Sequence, residues 1–284
     1  MTALEITDDI RQRLKDALLE DIGEGDITTQ ATIPVRIQAR GRVFAKQKGT
    51  FCGFPVFEEI FRLLDDNLDT QAFVHEGELV SGGTLLAEVV GEARQILLGE
   101  RLALNLLGRM SGVATLTRAY VDALNQPDTA LLDTRKTLPL WRSLDKYAVR
   151  MGGGTNHRSG LYDMILIKEN HIAVAGGIRQ AVSLAKEKRS EGVLIEVEVR
   201  DLNEMSEALK ADPDIILLDN FSVSQLQEAA RKAGGQVLLE ASGNVSLENI
   251  ESIGATGVHR ISVGSLTHSA RSFDLSMMVE LVCC

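Results

Sequence analysis

The sequence of 284 residues has few cysteines, few prolines and no long apolar run. Three cysteines, Cys52 and the terminal pair Cys283 and Cys284, are too few and too badly spaced for a disulfide framework or a zinc cluster. Five prolines argue against long disordered linkers. No apolar run approaches the roughly 18 residues of a membrane span, and the start lacks the order of a secretory signal. We therefore expect a cytoplasmic protein with no membrane partner.

The sequence also lacks an excess of positive charge. Lys and Arg total 30 and Asp and Glu total 40, which gives a formal net charge of −10. This balance argues against a general nucleic-acid binder. Adjacent terminal cysteines are sometimes prenylated, but no polybasic segment precedes Cys283 and Cys284, so we favour reduced thiols. A hydrophobic fraction of 44% is typical of a soluble globular protein.

The first third of the chain has a mixed pattern. Apolar residues at helical spacing predict an amphipathic helix with Thr7 as a possible cap, which ends at the turn-rich segment GEGDITT. Residues 35–90 instead predict short strands joined by tight hairpins. The mostly apolar run 93–109 predicts a long helix that would connect two domains.

The remainder alternates short apolar strands with amphipathic helices. The predicted strands lie in TALLDTRK, DMILIKEN, VLIEVEV, DIILLDN, QVLLEASG and HRISVGS. Repeated βα units of this length predict parallel strands with right-handed crossovers. Six strands, and a seventh that the pattern does not place, are fewer than the eight of a closed barrel, so we expect an incomplete α/β barrel. A doubly wound sheet is the alternative, but the first βα turn has no dinucleotide fingerprint.

Polar side chains follow almost every predicted strand. Strand ends converge on one rim of a barrel, where active sites are found. One such residue would be weak evidence, whereas six strands that share the feature indicate a site. The residues concerned are Asp133, Arg135, Lys136, Lys168, Asn170, Glu196, Glu198, Asp219, Asn220, Ser242, Gly243, Asn244, Ser262 and Gly264.

The predicted site is more basic than the whole chain. Between Arg135 and Lys168 there are seven cationic and two acidic side chains, which indicates a ligand with more than one negative group. Within this segment Arg142, Lys146 and Arg150 are spaced four apart, and for them we favour a solvated helix face. The glycine run in MGGGTNHRSGL permits close approach of backbone N–H groups to an anion, and His157 and Arg158 add donors.

Two further patterns bear on the ligand. The last two strands end in SGN and SVGS, and barrels often hold phosphate after their final strands. Alternation puts Glu196 and Glu198 on one face, with Asp219 at the end of the next strand. These carboxylates suggest bound Mg²⁺, ribose hydroxyls or partners for cationic groups, and a buried ion-pair role for Glu196 stays open. Lys168 beside carboxylates also fits a Schiff-base enzyme.

The same residues resemble a known family. LLDTRKTLPLWRSLDKYAVRMGGGTNHRSGLYDMILIKENHI, together with GERLALNLLGRMSGVAT, IEVEV, ILLDN, SGN and SVG, is similar to quinolinate phosphoribosyltransferase over essentially the whole chain. The resemblance implies a type II phosphoribosyltransferase with an N-terminal α/β sandwich at 1–110 and an incomplete, seven-stranded α/β barrel at 111–269. It also implies that the tail 270–284 returns to the first domain.

The resemblance further implies an activity and a set of roles. The family transfers phosphoribosyl from 5-phosphoribosyl 1-pyrophosphate to quinolinate with decarboxylation, a step of de novo NAD synthesis. Arg101 would reach the neighbouring subunit's site in a homodimer or higher oligomer. Catalysis would involve Lys136, Lys168, Glu198 and Asp219, with Mg²⁺ near the last two. The two carboxylates of quinolinate would meet Arg135, Lys136, His157 and Arg158, Thr134 would also contact substrate, and the 5′-phosphate would meet Ser242, Gly243, Asn244, Ser262, Val263 and Gly264.

Three alternatives stay open at this point. A phosphoribosyltransferase-like group associated with molybdenum transport shares the fold, but the full arginine-rich set favours the quinolinate enzyme. A barrel that only senses a phosphorylated ligand would not need Lys168, Glu198 and Asp219 together. A Schiff-base lyase would use Lys168 as its nucleophile.

Overall fold

The computed structural model describes residues 3–282, so the question of modification at Cys283 and Cys284 lies outside the described residues. The chain forms two units. The first contains the described residues up to Arg118, together with Leu138–Gly153 and the segment from Ala270. The second contains Ala119–Thr137 and Gly154–Ser269.

The first unit is built on an antiparallel sheet. Its strand order is β12-β1-β5-β3, so the strand from the end of the chain pairs with the first strand. A separate two-stranded pair is formed by β2 and β4. The bounds are β1 Gln38–Ala45, β2 Gly49–Thr50, β3 Asp69–Ala72, β4 Leu79–Val80, β5 Leu85–Glu92 and β12 Leu275–Leu281.

Five helices begin in this unit: α1 Asp8–Ile22, α2 Ile27–Thr32, α3 Phe54–Leu64, α4 Ala93–Leu124 and α5 Arg142–Met151. The predicted opening helix is confirmed, since the Thr7 side chain accepts the N–H of Ile10 and α1 buries its apolar stripe. α1 ends at the turn-rich segment as expected, and α2 begins at the end of that segment, where the Asp26 carboxylate caps it by accepting the N–H of Thr29 at 2.9 Å. The long helix is also confirmed, although α4 continues fifteen residues beyond Arg109.

The helix α3 lies in the region for which only strands were expected. Its residues Phe57, Ile60 and Phe61 are fully buried, and the rings of Phe57 and Phe61 pack edge to face at 4.8 Å. The carboxylate of Glu76 accepts the N–H groups at the start of the helix. Its apolar residues recur at helical spacing, so the sequence carried the signal of this helix and the strand expectation overlooked it.

The expectation of a solvated face on α5 was wrong. Lys146 is 4% exposed, and Arg142 and Arg150 are only partly exposed. Every residue from Leu144 to Val149 is buried, so the helix has no solvated stripe there. Within the first unit, Asp145 accepts hydrogen bonds from two guanidinium nitrogens of Arg109 at 3.0 and 2.9 Å, a buried, charge-assisted contact.

The second unit is built on a parallel sheet of six strands in the order β6-β11-β10-β9-β8-β7. Sequential strands are neighbours, and β6 pairs with β11, which is the order of a barrel. Between β6 and β7 the described residues contain only an isolated bridge from Leu132 to Thr155, so the barrel is incomplete. The predicted seventh strand is therefore reduced to this bridge. The bounds are β6 Ala130–Leu132, β7 Ile165–Ile167, β8 Ile195–Val199, β9 Ile215–Asp219, β10 Leu238–Ser242 and β11 Arg260–Ser262.

Helices follow the strands of the second unit: α6 Glu169–Ala175, α7 Ile178–Lys188, α8 Leu202–Ala211, α9 Val223–Ala233, α10 Ile250–Gly254 and α11 Ser265–His268. Parallel register places Glu198, Leu217, Glu240 and Arg260 in one row across β8 to β11. Side chains in one row share a face of the sheet, so these four side chains project from the same face. Among residues 3–282, no helix is long and apolar enough to cross a membrane.

Candidate active site

The strand ends of the second unit enclose a cavity of about 850 Å³. Fourteen of the fifteen residues assigned to substrate from the sequence lie along it: Thr134, Arg135, Lys136, His157, Arg158, Lys168, Glu198, Asp219, Ser242, Gly243, Asn244, Ser262, Val263 and Gly264. The exception is Arg101, an exposed residue of α4 in the first unit, which is not among the described residues lining this cavity. The barrel pattern thus brings distant segments to one place.

Arg135, Lys136 and Arg158, here called the cationic cluster, come from loops that follow β6 and precede β7. Burial and the neighbouring Arg135 guanidinium both lower the pKa of Arg158. The Lys136 backbone is held on both sides, because its N–H donates to Thr134 Oγ1 at 3.1 Å and its carbonyl accepts from Thr267 Oγ1 at 2.8 Å. The guanidinium groups of Arg135 and Arg158 thus lie along the same cavity, and together they are suited to bind a polyanion.

Glu198 and Asp219, here called the carboxylate pair, end the strands β8 and β9. Burial raises the pKa of Glu198, and the negative charge of Asp219 adds to the effect. The Lys168 ammonium opposes it by donating to the Glu198 carboxylate. Carboxylate oxygens around an open cavity are the donor set that Mg²⁺ prefers, so the residues present fit that ion.

The turns that follow β10 and β11 also line the cavity. Gly243 has φ +91°, and a Cβ there would collide with the side chain of Asn220. Asn220 in turn accepts a hydrogen bond from the Asn244 amide at 3.0 Å. The glycine is therefore required for the chain to turn closely around the end of β9.

The glycine run that begins at Gly152 has a different role from the one expected. Gly152 ends α5, and a Cβ there would collide with Ala114 and Thr117 of α4, within the same unit. Gly153 has φ +91°, which reverses the chain after the helix. Neither residue is among the described residues that line the cavity. These two glycines serve helix packing and chain reversal.

A charged network is buried in the second unit beside the cavity. His157 Nε2 lies 3.1 Å from Glu196 Oε2 and 3.3 Å from Glu240 Oε1, and Arg260 Nε lies 3.2 Å from Glu240 Oε2. Burial lowers the pKa of His157, but the contacts with the two carboxylates outweigh it and raise the pKa to about 9. Burial also raises the pKa of Glu196. The network therefore retains one extra proton at neutral pH on the side of Nε2 and the two carboxylates, which balances its charges, while Nδ1 accepts the N–H of Arg158.

Several cavity residues were not assigned to the site from the sequence. Asn220, which the sequence placed at the rim without a substrate role, lines the cavity beside Asp219. Ser265 and His268 lie on the short helix α11, and nothing in their spacing distinguished them. Glu240 was missed as a partner of His157, although it lies two residues before Ser242 and so shares its face of β10.

An incomplete parallel barrel whose strand ends carry a cationic cluster and a carboxylate pair defines an enzyme for polyanionic substrates. Comparison with known proteins gives the family. Residues 26–111 match the model for the quinolinate phosphoribosyl transferase N-terminal domain, and residues 113–278 match that for its C-terminal domain. The chain belongs to the quinolinate phosphoribosyltransferase family.

Individual relatives agree with this membership. The chain is 41% identical to a probable nicotinate-nucleotide pyrophosphorylase [carboxylating] of Bacillus subtilis, over 96% of this chain and 94% of the relative. It is 40% identical to quinolinate phosphoribosyltransferase [decarboxylating] 1b of Nicotiana tabacum, over 96% and 83%. The solved nicotinate-nucleotide pyrophosphorylase of Francisella tularensis is 40% identical and superposes with a TM-score of 0.93, over 99% of this chain and 100% of that one.

Proposed function

We propose that this chain catalyses the reaction for which its relatives are named. Phosphoribosyl passes from 5-phosphoribosyl 1-pyrophosphate to quinolinate, and nicotinate mononucleotide, pyrophosphate and CO₂ are formed. The observation that carries the proposal is one cavity that holds both the cationic cluster and the carboxylate pair. Two polyanions can approach each other there without repulsion because fixed cations offset their charge.

The cationic cluster binds quinolinate. Arg135 and Arg158 are suited to planar carboxylates through their forked donors, and Lys136 adds a point charge. The predicted direct contact of His157 with a carboxylate stays a prediction, since both of its ring nitrogens lie against protein groups. With the dicarboxylate held in place, the pyridine nitrogen is directed at C1 of the ribose.

The carboxylate pair serves the sugar and the leaving group. The pyridine nitrogen forms a bond to C1 while the bond from C1 to pyrophosphate breaks, so positive charge develops on the ribose and negative charge on the pyrophosphate. Glu198 and Asp219 stabilise the first charge, and Lys168 stabilises the second. Both carboxylates would hold Mg²⁺, which supplies charge neutralisation at the pyrophosphate.

Decarboxylation needs no nucleophilic side chain. Once the ring nitrogen is quaternised, its positive charge stabilises the electron pair that stays on C2 when the 2-carboxylate departs as CO₂, and that pair then takes up a proton. A Schiff-base lyase needs a lysine that presents a neutral amine. The pairing of the Lys168 ammonium with Glu198 argues against that role.

The turns after β10 and β11 receive the 5′-phosphate in this account. They contain Ser242, Gly243 and Asn244, and Ser262, Val263 and Gly264, all of which line the cavity. Backbone N–H groups and hydroxyls are suited to a phosphate that must be held without strong charge. The barrel thus separates the phosphate site from the dicarboxylate site.

The experiment that tests the activity is direct. The purified protein is mixed with quinolinate, 5-phosphoribosyl 1-pyrophosphate and Mg²⁺, and nicotinate mononucleotide and CO₂ are measured. We expect the two products in equal amounts, and no turnover when nicotinate replaces quinolinate, because one carboxylate is then missing from the cationic cluster. Borohydride trapping of substrate on Lys168 would favour the lyase instead.

A further inference from the structure

Two glutamates of the second unit have no role in the proposed reaction. Glu196 and Glu240 point inward from β8 and β10 and are both 0% exposed. Burying two carboxylates is costly unless cations or protons balance them. Arg260 and the His157 imidazole meet this need, and the four side chains form the buried network already described. Such a network fixes the position of the His157 side chain and of the loop that carries it.

The network is linked to the cavity through the backbone at residues 156–158. The N–H of Arg158 donates to Nδ1 of His157 at 2.8 Å. The N–H of His157 donates to Asp133 at 2.8 Å, and the Asn156 amide donates to the same carboxylate at 2.6 Å. Asp133 is 0% exposed. Asn156 and His157 are therefore attached to buried acids from two directions, and Arg158 is attached to them through the His157 ring.

This attachment limits the positions that Arg158 can adopt. Its guanidinium lies beside that of Arg135, and its Nη1 donates to the Met164 carbonyl at 3.3 Å. Two like charges repel, so a mobile loop would let Arg158 turn away from Arg135 into solvent. A backbone fixed at residues 156–158 prevents this. The loop has no regular secondary structure, so side-chain anchors do the work that a strand would do.

His157, Glu196 and Glu240 are also side chains of the kinds that bind a divalent cation, and their ligand atoms lie close together. The positions of the charges argue for the network instead. Arg260 already contacts Glu240, and a cation next to this guanidinium would be repelled. His157 Nε2 also lies at hydrogen-bonding distance from a carboxylate oxygen on each side.

We propose that Asp133, Glu196 and Glu240 are positioning residues that hold the segment 156–158 so that Arg158 faces a carboxylate of the aromatic substrate, and that His157 acts through Arg158. The inference rests on the proposed function, because it assigns Arg158 to quinolinate. It extends that function by placing specificity for the dicarboxylate in residues that the substrate does not touch.

A double-mutant cycle tests the proposal. Glu240→Gln keeps the shape of the side chain but removes its charge from His157 and Arg260. We expect the KM for quinolinate to rise about tenfold, while the KM for 5-phosphoribosyl 1-pyrophosphate changes less than about twofold. In an Arg158→Ala background the same substitution should change the quinolinate KM by less than about twofold, because the group that it positions is gone.

The control is Glu228→Gln, the same chemical change at a half-exposed residue of α9 that pairs with Lys232. It should leave both KM values unchanged.

If Glu240→Gln does not fold, Asp133→Asn provides the same cycle from the other attachment. If Glu240→Gln raises the quinolinate KM as much in the Arg158→Ala background as in the wild type, the proposal is overturned. An unchanged quinolinate KM in the Glu240→Gln single variant would also overturn it. One equivalent of divalent metal that copurifies with the wild type and is lost in Glu240→Gln would also overturn it. A wild type without turnover would instead refute the proposed function.

Discussion

The cationic cluster and the carboxylate pair lie in one cavity but are built in different ways. Arg135, Lys136 and Arg158 come from loops, and side chains supply the contacts that hold the Lys136 backbone and the Arg158 guanidinium. Glu198 and Asp219 end hydrogen-bonded parallel strands, whose backbone fixes them directly. The cluster gathers like charges, whereas the pair is already partly offset by Lys168.

The difference indicates which part of the site controls which property. Groups on rigid strands suit the sugar and pyrophosphate chemistry, where small displacements are costly. Groups on loops can hold a dicarboxylate only if a supporting layer fixes them, and the buried acids supply that layer. We therefore expect substitutions in the pair to reduce kcat and substitutions in the cluster to raise KM.

The largest effect is expected at Lys168, which serves the carboxylate pair. Lys168→Ala removes a cation from the pyrophosphate and leaves Glu198 without its partner beside Asp219. We expect kcat to fall by about a hundredfold to a thousandfold, with the KM for quinolinate little changed. Steady-state kinetics measure both values. A rise in quinolinate KM with unchanged kcat would show that Lys168 belongs with the cationic cluster.

We expect Arg101 to extend the cationic cluster from a neighbouring subunit, so that the working unit would be at least a dimer. We expect Arg101→Ala to lose activity by about tenfold to a hundredfold, the cost of one charged hydrogen bond to a carboxylate. Mixed oligomers with Lys168→Ala should recover part of it, because one site then receives both intact residues. Absence of recovery, in oligomers shown to mix, would count against a shared site.

Glu198→Gln tests the carboxylate pair through the metal. In the proposed site the variant would lose one negative oxygen ligand for Mg²⁺, so the Mg²⁺ concentration for half-maximal activity should rise by about tenfold. Titration of activity with Mg²⁺ measures this shift, with Arg135→Ala as the matched variant from the cluster. An equal shift in both variants would remove the distinction between the two groups.

The last effect is on stability rather than on activity, and it comes from pH through the network of His157 with Glu196 and Glu240, which Arg260 and Asp133 also face. The folded-state pKa of about 9 lies above the usual 6.5, so folding favours the protonated form. This stabilisation is complete below about pH 6.5 and is lost as the pH rises through 9. Thermal unfolding from pH 6 to 10 should show a loss of up to about 3 kcal/mol that His157→Gln lacks. Parallel curves for the two proteins would contradict it.

Much of the fold and of the candidate site followed from the sequence. The βα rhythm predicted the parallel strands and brought Arg135, Glu198 and Asp219 to one rim, because carboxyl ends of parallel strands meet. Local charge spacing failed at Lys146, since an i, i+4 pattern indicates a helix face but not what covers it. Glu240 could not be paired with His157, because that contact depends on a loop of irregular structure.

The account is tested most directly by calorimetric binding of each ligand to two variants. Arg135→Ala removes one member of the cationic cluster, and Asp219→Asn removes the charge of one member of the carboxylate pair. We expect Arg135→Ala to weaken quinolinate by about tenfold or more and leave 5-phosphoribosyl 1-pyrophosphate with Mg²⁺ within about threefold, and Asp219→Asn to do the reverse. Equal weakening of both ligands by either variant would contradict the division of the cavity.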